Sequence, residues 1–536
     1  MKNTIKLSFI LVLFLFVIAF VWRLWGISSD SLWGDEIATV RAIAADLNEK
    51  NTRYNHHYEK KLAKNCAQVS TYTKKAEKFI KPTYYCLLNK YIKFIGGEIS
   101  EFALRSFSLI FGMLFLLFFY LSLRKIYPGK KEIAIIGLAL TAFSPYLIYY
   151  AQEARHYSLF LFLGAFALYL YILQKQESKL NLKIFYSIIL LLSCIAGLWV
   201  SIVFLFWIGA FFLDFCFSNL SLIKKNSKIL FIIFFILIAI CFLYFLINHF
   251  PKDLNPFRAT KDSSEILERL IDSPKEFLNM IFDYSIMREF KDHIKFKFLR
   301  LTISILLPIL FLIGLISFIK IKEIKHKFLI ILSFILPLFL SFVCFIFSDL
   351  SFIHSRHAIL SLIPVFIIIA TVISFIQNNK IKYISLALIL LFYSFINIQM
   401  KASPQRQDWK SVAKKIEQEN IQSDTAIIFG KVWKKKPWQR NLRFPEALNY
   451  YWENPRQEIY IETLKDLKAL DSSKKYKRII FLSNRELLPN FENYIENKKE
   501  TKNYSGIRYC EFIKKGTPIK LTNENPNNQN KDKVIP

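Results

Sequence analysis

A chain of 536 residues that is 54% apolar and 16% aromatic, with 53 phenylalanines, is unlike an ordinary globular domain and fits a polytopic membrane protein. Its formal net charge of +31 falls between long apolar runs. That pattern describes cytoplasmic-loop lysines and a basic tail facing anionic membrane lipid. With no zinc-finger, helix-turn-helix or RNA-binding motif, it argues against a nucleic-acid partner.

The N-terminal Met1–Lys6 and the apolar run to Trp25 have the outline of a signal peptide. No small-residue cleavage site follows, and the run is long enough to span, so an uncleaved helix over about 7–25 is expected. A basic start on the cytoplasmic side delivers residue 26 to the outside. The basic loop from Leu123 to Lys131 is inside, so helix 103–123 runs inward and the first outer loop covers 26–102. Within that loop, Pro82–Phe94 is amphipathic and short, and is expected to lie in the outer interface.

Helix 132–150 then returns outward and helix 156–174 goes in. The apolar run 184–217 is too long for one span and has basic segments on both sides, which predicts a hairpin near Gly197-Leu198-Trp199. Helix 229–248 leads to a second outer loop, 250–297. Helices 298–319, 328–347, 357–376 and 383–399 bring the membrane domain, 1–399, to about eleven spans. Beyond it, a helical period over Asp408–Ile416 and strand patterns at Thr425–Phe429 and Lys477–Ser483 predict a small extracytoplasmic α/β domain over 400–520. Residues 521–536, rich in Asn, Pro and Lys, read as disordered. The absence of internal repeats argues against inverted-repeat transporters.

Cys194, Cys216, Cys241 and Cys344 lie in apolar spans as small core side chains. Cys66 and Cys86 share the first outer loop and could form a disulfide; their spacing carries no metal signature.

The chemistry-bearing residues gather at span ends. Glu153 and Arg155 follow the outward helix in Tyr149-Tyr150-Ala151-Gln152-Glu153-Ala154-Arg155-His156-Tyr157-Ser158. Charges at a bilayer boundary are costly unless they pair, reach water or hold a ligand; the structural alternative is a snorkelling pair that anchors two helices. A second acidic cluster, Asp35 and Glu36, follows helix 1 directly in Ser31-Leu32-Trp33-Gly34-Asp35-Glu36. The expected topology brings both clusters, with His156, His354 and Arg356, to one outer plane. A reaction there on a lipid-phosphate-linked substrate needs a carboxylate to take a proton from an acceptor hydroxyl, a task suited to Asp35. It also needs cations to hold the departing phosphate, which suits Arg155 and Arg356.

Trp33-Gly34-Asp35-Glu36, Pro82-Thr83-Tyr84-Tyr85, Glu101-Phe102-Ala103-Leu104-Arg105-Ser106 and the Gln152–Ser158 run occur in an order that resembles the GT-C membrane glycosyltransferases. The resemblance is to the family-39-like group of protein mannosyltransferases, lipid A aminoarabinose transferases and rhizobial lipopolysaccharide galacturonosyltransferases, and is best over about 26–175. It implies a mostly α GT-C fold in the bacterial cytoplasmic membrane, and a polyprenyl-phosphate-linked sugar donor. It further implies an inverting transfer to a glycan, lipid or protein acceptor. By the same resemblance Asp35 matches the catalytic acid and Glu36 its neighbour; Glu153 supports the site or a metal; Arg155 faces the donor phosphate. Arg356 matches a late Arg-Tyr position, with His357 replacing the aromatic.

The family's histidine before the interfacial helix is absent, since Ile80-Lys81 precede Pro82. A divalent metal therefore lacks a ligand motif, and Lys81 becomes a candidate phosphate contact. The competing classes are a flippase or transporter of lipid-linked glycans, which should place charges deep in its helices, and a polymerase or ligase, which typically has its largest outer loop late in the chain.

Overall fold

The computed structural model describes residues 2–33, 36–37, 39–40, 43, 83–201, 203–218, 312–321, 326–336, 359–402, 408–418, 425–430, 458–461, 476–483, 493–497, 502–504 and 507–515. They fall into two compact units. The first takes the described residues of Met1–Ile27 and Tyr58–Ser403, and the second those of Ser28–Ala44 and Pro404–Pro536.

The first unit is helical throughout: α1 Lys2–Leu24, α2 Thr83–Phe94, α3 Glu101–Ile126, α4 Lys131–Phe143, α5 Pro145–Ala151, α6 Tyr157–Gln176, α7 Leu180–Val200 and α8 Phe204–Ser218. After them come α9 (312–320), α10 Lys327–Leu336, α11 Leu362–Ser374 and α12 Asn379–Ala402. Among the described residues, α3, α6, α7 and α12 are long and apolar enough to cross a membrane, and α4 with α5 makes a fifth candidate bent by 60°. Part of this surface is apolar and bare. On α12 the side chains of Ile381, Ile384, Leu388, Leu391, Phe395 and Ile398 recur at three- and four-residue steps and are all exposed. An exposed apolar stripe of that length is what a lipid-facing helix presents. The expected span 229–248 lies outside the described residues, as do parts of 298–319 and 328–347.

Local chemistry explains the element boundaries. Ser100 caps α3 by accepting from the Ala103 amide at 3.2 Å, ahead of Glu101 in the first turn. α7 ends at Val200 and α8 begins at Phe204, so the break between them comes a few residues later than the sequence suggests. Gly197, read as a turn residue, is instead a contact: a Cβ there would stand 2.5 Å from the ring of Phe204, which is fully buried. The glycine lets α8 close onto α7.

The expected single helix 132–150 is broken. Pro145 has no amide hydrogen, so the helical acceptor four residues earlier, the Thr141 carbonyl, loses its donor. The helix ends at Phe143, Ser144 accepts from the Leu147 amide at 3.4 Å, and α5 restarts in a new direction.

The second unit carries α13 Trp409–Gln418 and a mixed sheet ordered β2-β1-β3-β6-β4, with β5 also on β6. The strands are β1 Thr425–Gly430, β2 Glu458–Ile461, β3 Arg478–Ser483, β4 Tyr494–Glu496, β5 Lys502–Tyr504 and β6 Ile507–Lys514. β1 lies parallel to β2 and β3, and β3 is antiparallel to β6 with Ile480 opposite Glu511. Trp409, Val412, Ala413 and Ile416 form the buried face of α13. The core beneath the sheet is Ala426, Tyr476, Ile479, Phe481, Tyr494, Cys510 and Phe512.

Candidate active site

Membrane helices cannot leave backbone carbonyls bare, and the α4–α5 break exposes several. Arg23, near the end of α1 and fully buried, donates through Nη1 to the Ala142 carbonyl and through Nη2 to the Thr141 carbonyl, each at 3.1 Å. The second of these acceptors is the one Pro145 abandons. Asn397 of α12 donates from Nδ2 to the Phe143 carbonyl at 2.8 Å. Three successive carbonyls at the break thus receive side-chain donors from the first helix and from α12.

The far end of α5 is tied back to the same helices. Gln152 donates from Nε2 to the carbonyls of Arg23 at 2.7 Å and Trp25 at 2.9 Å, which lie at the C-terminus of α1. Its Oε1 accepts from the Lys401 ammonium of α12. Gly112 of α3 lets this segment sit close, since a Cβ there would stand 2.9 Å from the Ala151 Cβ.

Glu153 and Arg155 follow at once in a tight turn, with the Arg155 amide donating to the Glu153 carbonyl at 2.7 Å. Glu153 is buried, both carboxylate oxygens included, whereas Arg155 is half-buried. Arg155 donates from Nη1 to the Tyr85 hydroxyl at 2.9 Å. The expected interfacial helix, α2, is therefore part of this site. It is fastened by tyrosines: Ser108 gives its hydrogen to the Arg155 carbonyl at 3.3 Å, so the Tyr84 hydroxyl, 3.1 Å away, must donate to Ser108. By the same reasoning Ser106 donates to the Ala103 carbonyl and Tyr91 donates to Ser106 at 2.8 Å. Arg105, in the Glu101–Ser106 motif, is buried and donates to the Ile27 carbonyl at 2.9 Å, holding the chain as it leaves α1.

Of the site residues singled out in the sequence, Glu36, Glu153, Arg155 and His156 are described; Asp35, Lys81 and Arg356 lie outside the described residues, as do His354 and Cys66. Glu36 belongs to the second unit, is fully buried, and accepts from the Trp33 amide at 3.4 Å while the Ile37 amide donates to the Trp33 carbonyl at 2.9 Å. That pair of bonds between Trp33 and Glu36–Ile37 has the reach-back pattern of a capping box. In the same unit Ser31 donates to Asp408 Oδ1 at 3.4 Å and accepts from the Lys410 amide at 3.0 Å. The segment leading to Asp35 is thus tied to α13. Among the described residues, no group of three or more His, Cys, Asp and Glu side chains is placed to hold a metal ion.

Gln152 entered the sequence reading only as the first residue of the Gln152–Ser158 motif, and Arg23, Asn397 and Lys401 were not singled out at all. A cation inside an apolar helix was a readable signal for Arg23; Asn397 and Lys401 gave none.

No protein-family model matches the chain, and no curated protein matches it in sequence. Solved structures do. ArnT from Cupriavidus metallidurans, in a crystal structure bound to undecaprenyl phosphate, aligns over 94% of this chain and 97% of its own at 8% identity, with a TM-score of 0.50. The Archaeoglobus fulgidus oligosaccharyltransferase, complexed with Zn and sulfate, aligns over 88% of this chain and 67% of its own at 13% identity, with a TM-score of 0.42. The chain has the GT-C fold. The ArnT likeness carries that statement, because it runs the length of both chains.

Proposed function

We propose that the protein is an inverting membrane glycosyltransferase that moves a sugar from a polyprenyl-phosphate donor to an acceptor at the outer face of the cytoplasmic membrane. The observation that supports this best is a GT-C fold aligned end to end with a protein captured holding undecaprenyl phosphate. To this is added a half-buried arginine, Arg155, fixed by Tyr85 at the end of a broken membrane helix. A guanidinium so held presents a planar fork of donors suited to a phosphate.

In this reading Asp35 takes the proton from the acceptor hydroxyl as its oxygen bonds to the sugar C1. The C1–O bond to the phosphate breaks on the opposite face, and the polyprenyl phosphate leaves with the electron pair. Arg155, with Arg356 and Lys81, holds the departing anion, where preorganised donors contribute most. Glu153, buried two residues before Arg155 in the chain, supports the site, and Glu36 is the chain neighbour of Asp35. The second unit, through Asp408 and Lys410, steadies the segment before it.

Asp35→Asn should abolish sugar transfer while leaving expression and membrane insertion intact, with transfer followed by mass spectrometry of surface glycolipids and glycoproteins. Membranes carrying that variant and retaining wild-type transfer would sink the assignment.

A further inference from the structure

We propose that Arg23 is a positioning residue for the donor-phosphate grip: it fixes α5 at both ends and so places Glu153 and Arg155. This rests on the functional reading above.

The argument begins with Pro145. A proline inside a membrane helix removes one amide donor, and the 60° bend it accompanies opens the carbonyls on the turn before it. Such breaks persist only where neighbouring groups satisfy the backbone again. Here the guanidinium of Arg23 meets the Thr141 and Ala142 carbonyls in the last turn of α4, which holds the point from which α5 departs. The main-chain carbonyl of the same residue accepts from Gln152, which sets where α5 ends. Only the nine residues Phe143–Ala151, seven of them in α5, lie between Ala142 and Gln152, and Glu153 follows Gln152 directly. The site's two charged residues therefore stand on a short rigid strut whose ends both close on Arg23. Asn397 and Lys401 brace the same strut at the same two ends from α12.

A solvation role for Arg23 does not account for this. The residue has no exposed surface, and its third bond returns to Ala19 within its own helix at 3.1 Å. The forked, planar guanidinium reaches two adjacent carbonyls at once, a geometry that the single ammonium of lysine cannot reproduce.

The test is a double-mutant cycle on the purified full-length chain in nanodiscs, reading undecaprenyl phosphate binding by titration alongside the KM and kcat of transfer. Arg155→Met should weaken undecaprenyl phosphate binding. Arg23→Met should weaken it by a similar factor in the folded, monodisperse fraction, with a transfer loss on the order of a hundredfold, as expected when a reacting group is displaced by about an ångström. Combining the two should weaken binding no further than Arg155→Met alone, the signature of residues acting through one another. Arg23→Lys, which keeps charge and one carbonyl contact, should rescue part of the loss. If Arg23→Met fails to fold, Arg23→Lys and Asn397→Ala carry the same cycle.

Additive losses overturn the positioning role and leave the functional reading standing. So does a loss that tracks the folded fraction with KM and kcat per folded molecule unchanged. A wild-type chain that neither binds undecaprenyl phosphate nor transfers sugar overturns both.

Discussion

The pair Lys175–Asp214 offers a quantitative test of how this membrane domain is held together. Asp214 lies in the apolar helix α8 with its side chain 4% exposed, and accepts from the Lys175 ammonium at 2.6 Å and the Tyr171 hydroxyl at 2.8 Å. Lys175 is 28% exposed and also donates to Ser218 at 2.7 Å. The asymmetry predicts unequal costs. Lys175→Met leaves a buried carboxylate with one neutral donor, and stripping one partner from a buried pair costs roughly 3–5 kcal/mol. Partial exposure of the lysine places this case near the lower end, about 3 kcal/mol. Asp214→Asn keeps an acceptor for Tyr171 and leaves the ammonium with Ser218 and water, so it should cost only about 1 kcal/mol. The double variant Lys175→Met/Asp214→Leu, an apolar replacement, leaves the Tyr171 hydroxyl without its acceptor and should cost about 1–2 kcal/mol, less than Lys175→Met alone. Reversible unfolding in mixed micelles, followed by tryptophan fluorescence, measures all three. The reasoning fails if Asp214→Asn is as costly as Lys175→Met, or if the double variant loses the sum of the single losses.

Three further outcomes follow from contacts at or near the site. Gly112→Ala puts a Cβ 2.9 Å from that of Ala151, and neither group is a flexible tip, so α3 and α5 must separate. The expected cost is about 1–3 kcal/mol with weakened undecaprenyl phosphate binding, and an unchanged melting temperature would contradict it. Tyr85→Phe removes the hydroxyl that accepts from Arg155; a bond to a charged group is worth about 1.5 kcal/mol, so donor KM should rise roughly tenfold with little change in stability. Asp408→Ala removes both the cap of α13, whose Ser411 amide it accepts at 3.1 Å, and the contact to Ser31. It should cost about 1 kcal/mol and expose residues 28–33 to protease, accompanied by reduced transfer.

Some of this molecule was legible in the sequence because its signal was chemical rather than positional. Glu153 and Arg155 stood out because charges are rare at the end of an apolar run, and α2 because its polar and apolar faces alternate at helical period in a segment too short to span. Strands β1 and β3 announced themselves as apolar runs. β6 did not, although it is the longest strand among the described residues: Arg508 and Glu511 interrupt its apolar residues, and Glu511 is tolerated there because Arg478 pairs with it from β3 while Asn497 donates to its other oxygen at 2.8 Å. A strand whose buried charge is neutralised by a neighbour reads as a loop until that neighbour is known. The break at Pro145 was hidden for a related reason. Hydropathy registers side chains, and Pro145 acts by withholding an amide hydrogen, so an apolar run with a proline in it still looks like one span.

The hydrogen bonds at that break carry a consequence for how the site forms. Gln152, directly before Glu153, is held by the carbonyls of residues 23 and 25 and by Lys401, and the break before it by Arg23 and Asn397. None of these anchors is local in sequence, and local interactions alone would leave the carbonyls of Thr141, Ala142 and Phe143 without donors in an apolar medium, at a cost of several kcal/mol each. The bent geometry therefore becomes favourable only once α12 has packed against α4 and α1 has closed from the other side. A loop held this way is complete only when the membrane unit is, which ties the placement of Glu153 and Arg155 to completion of the fold.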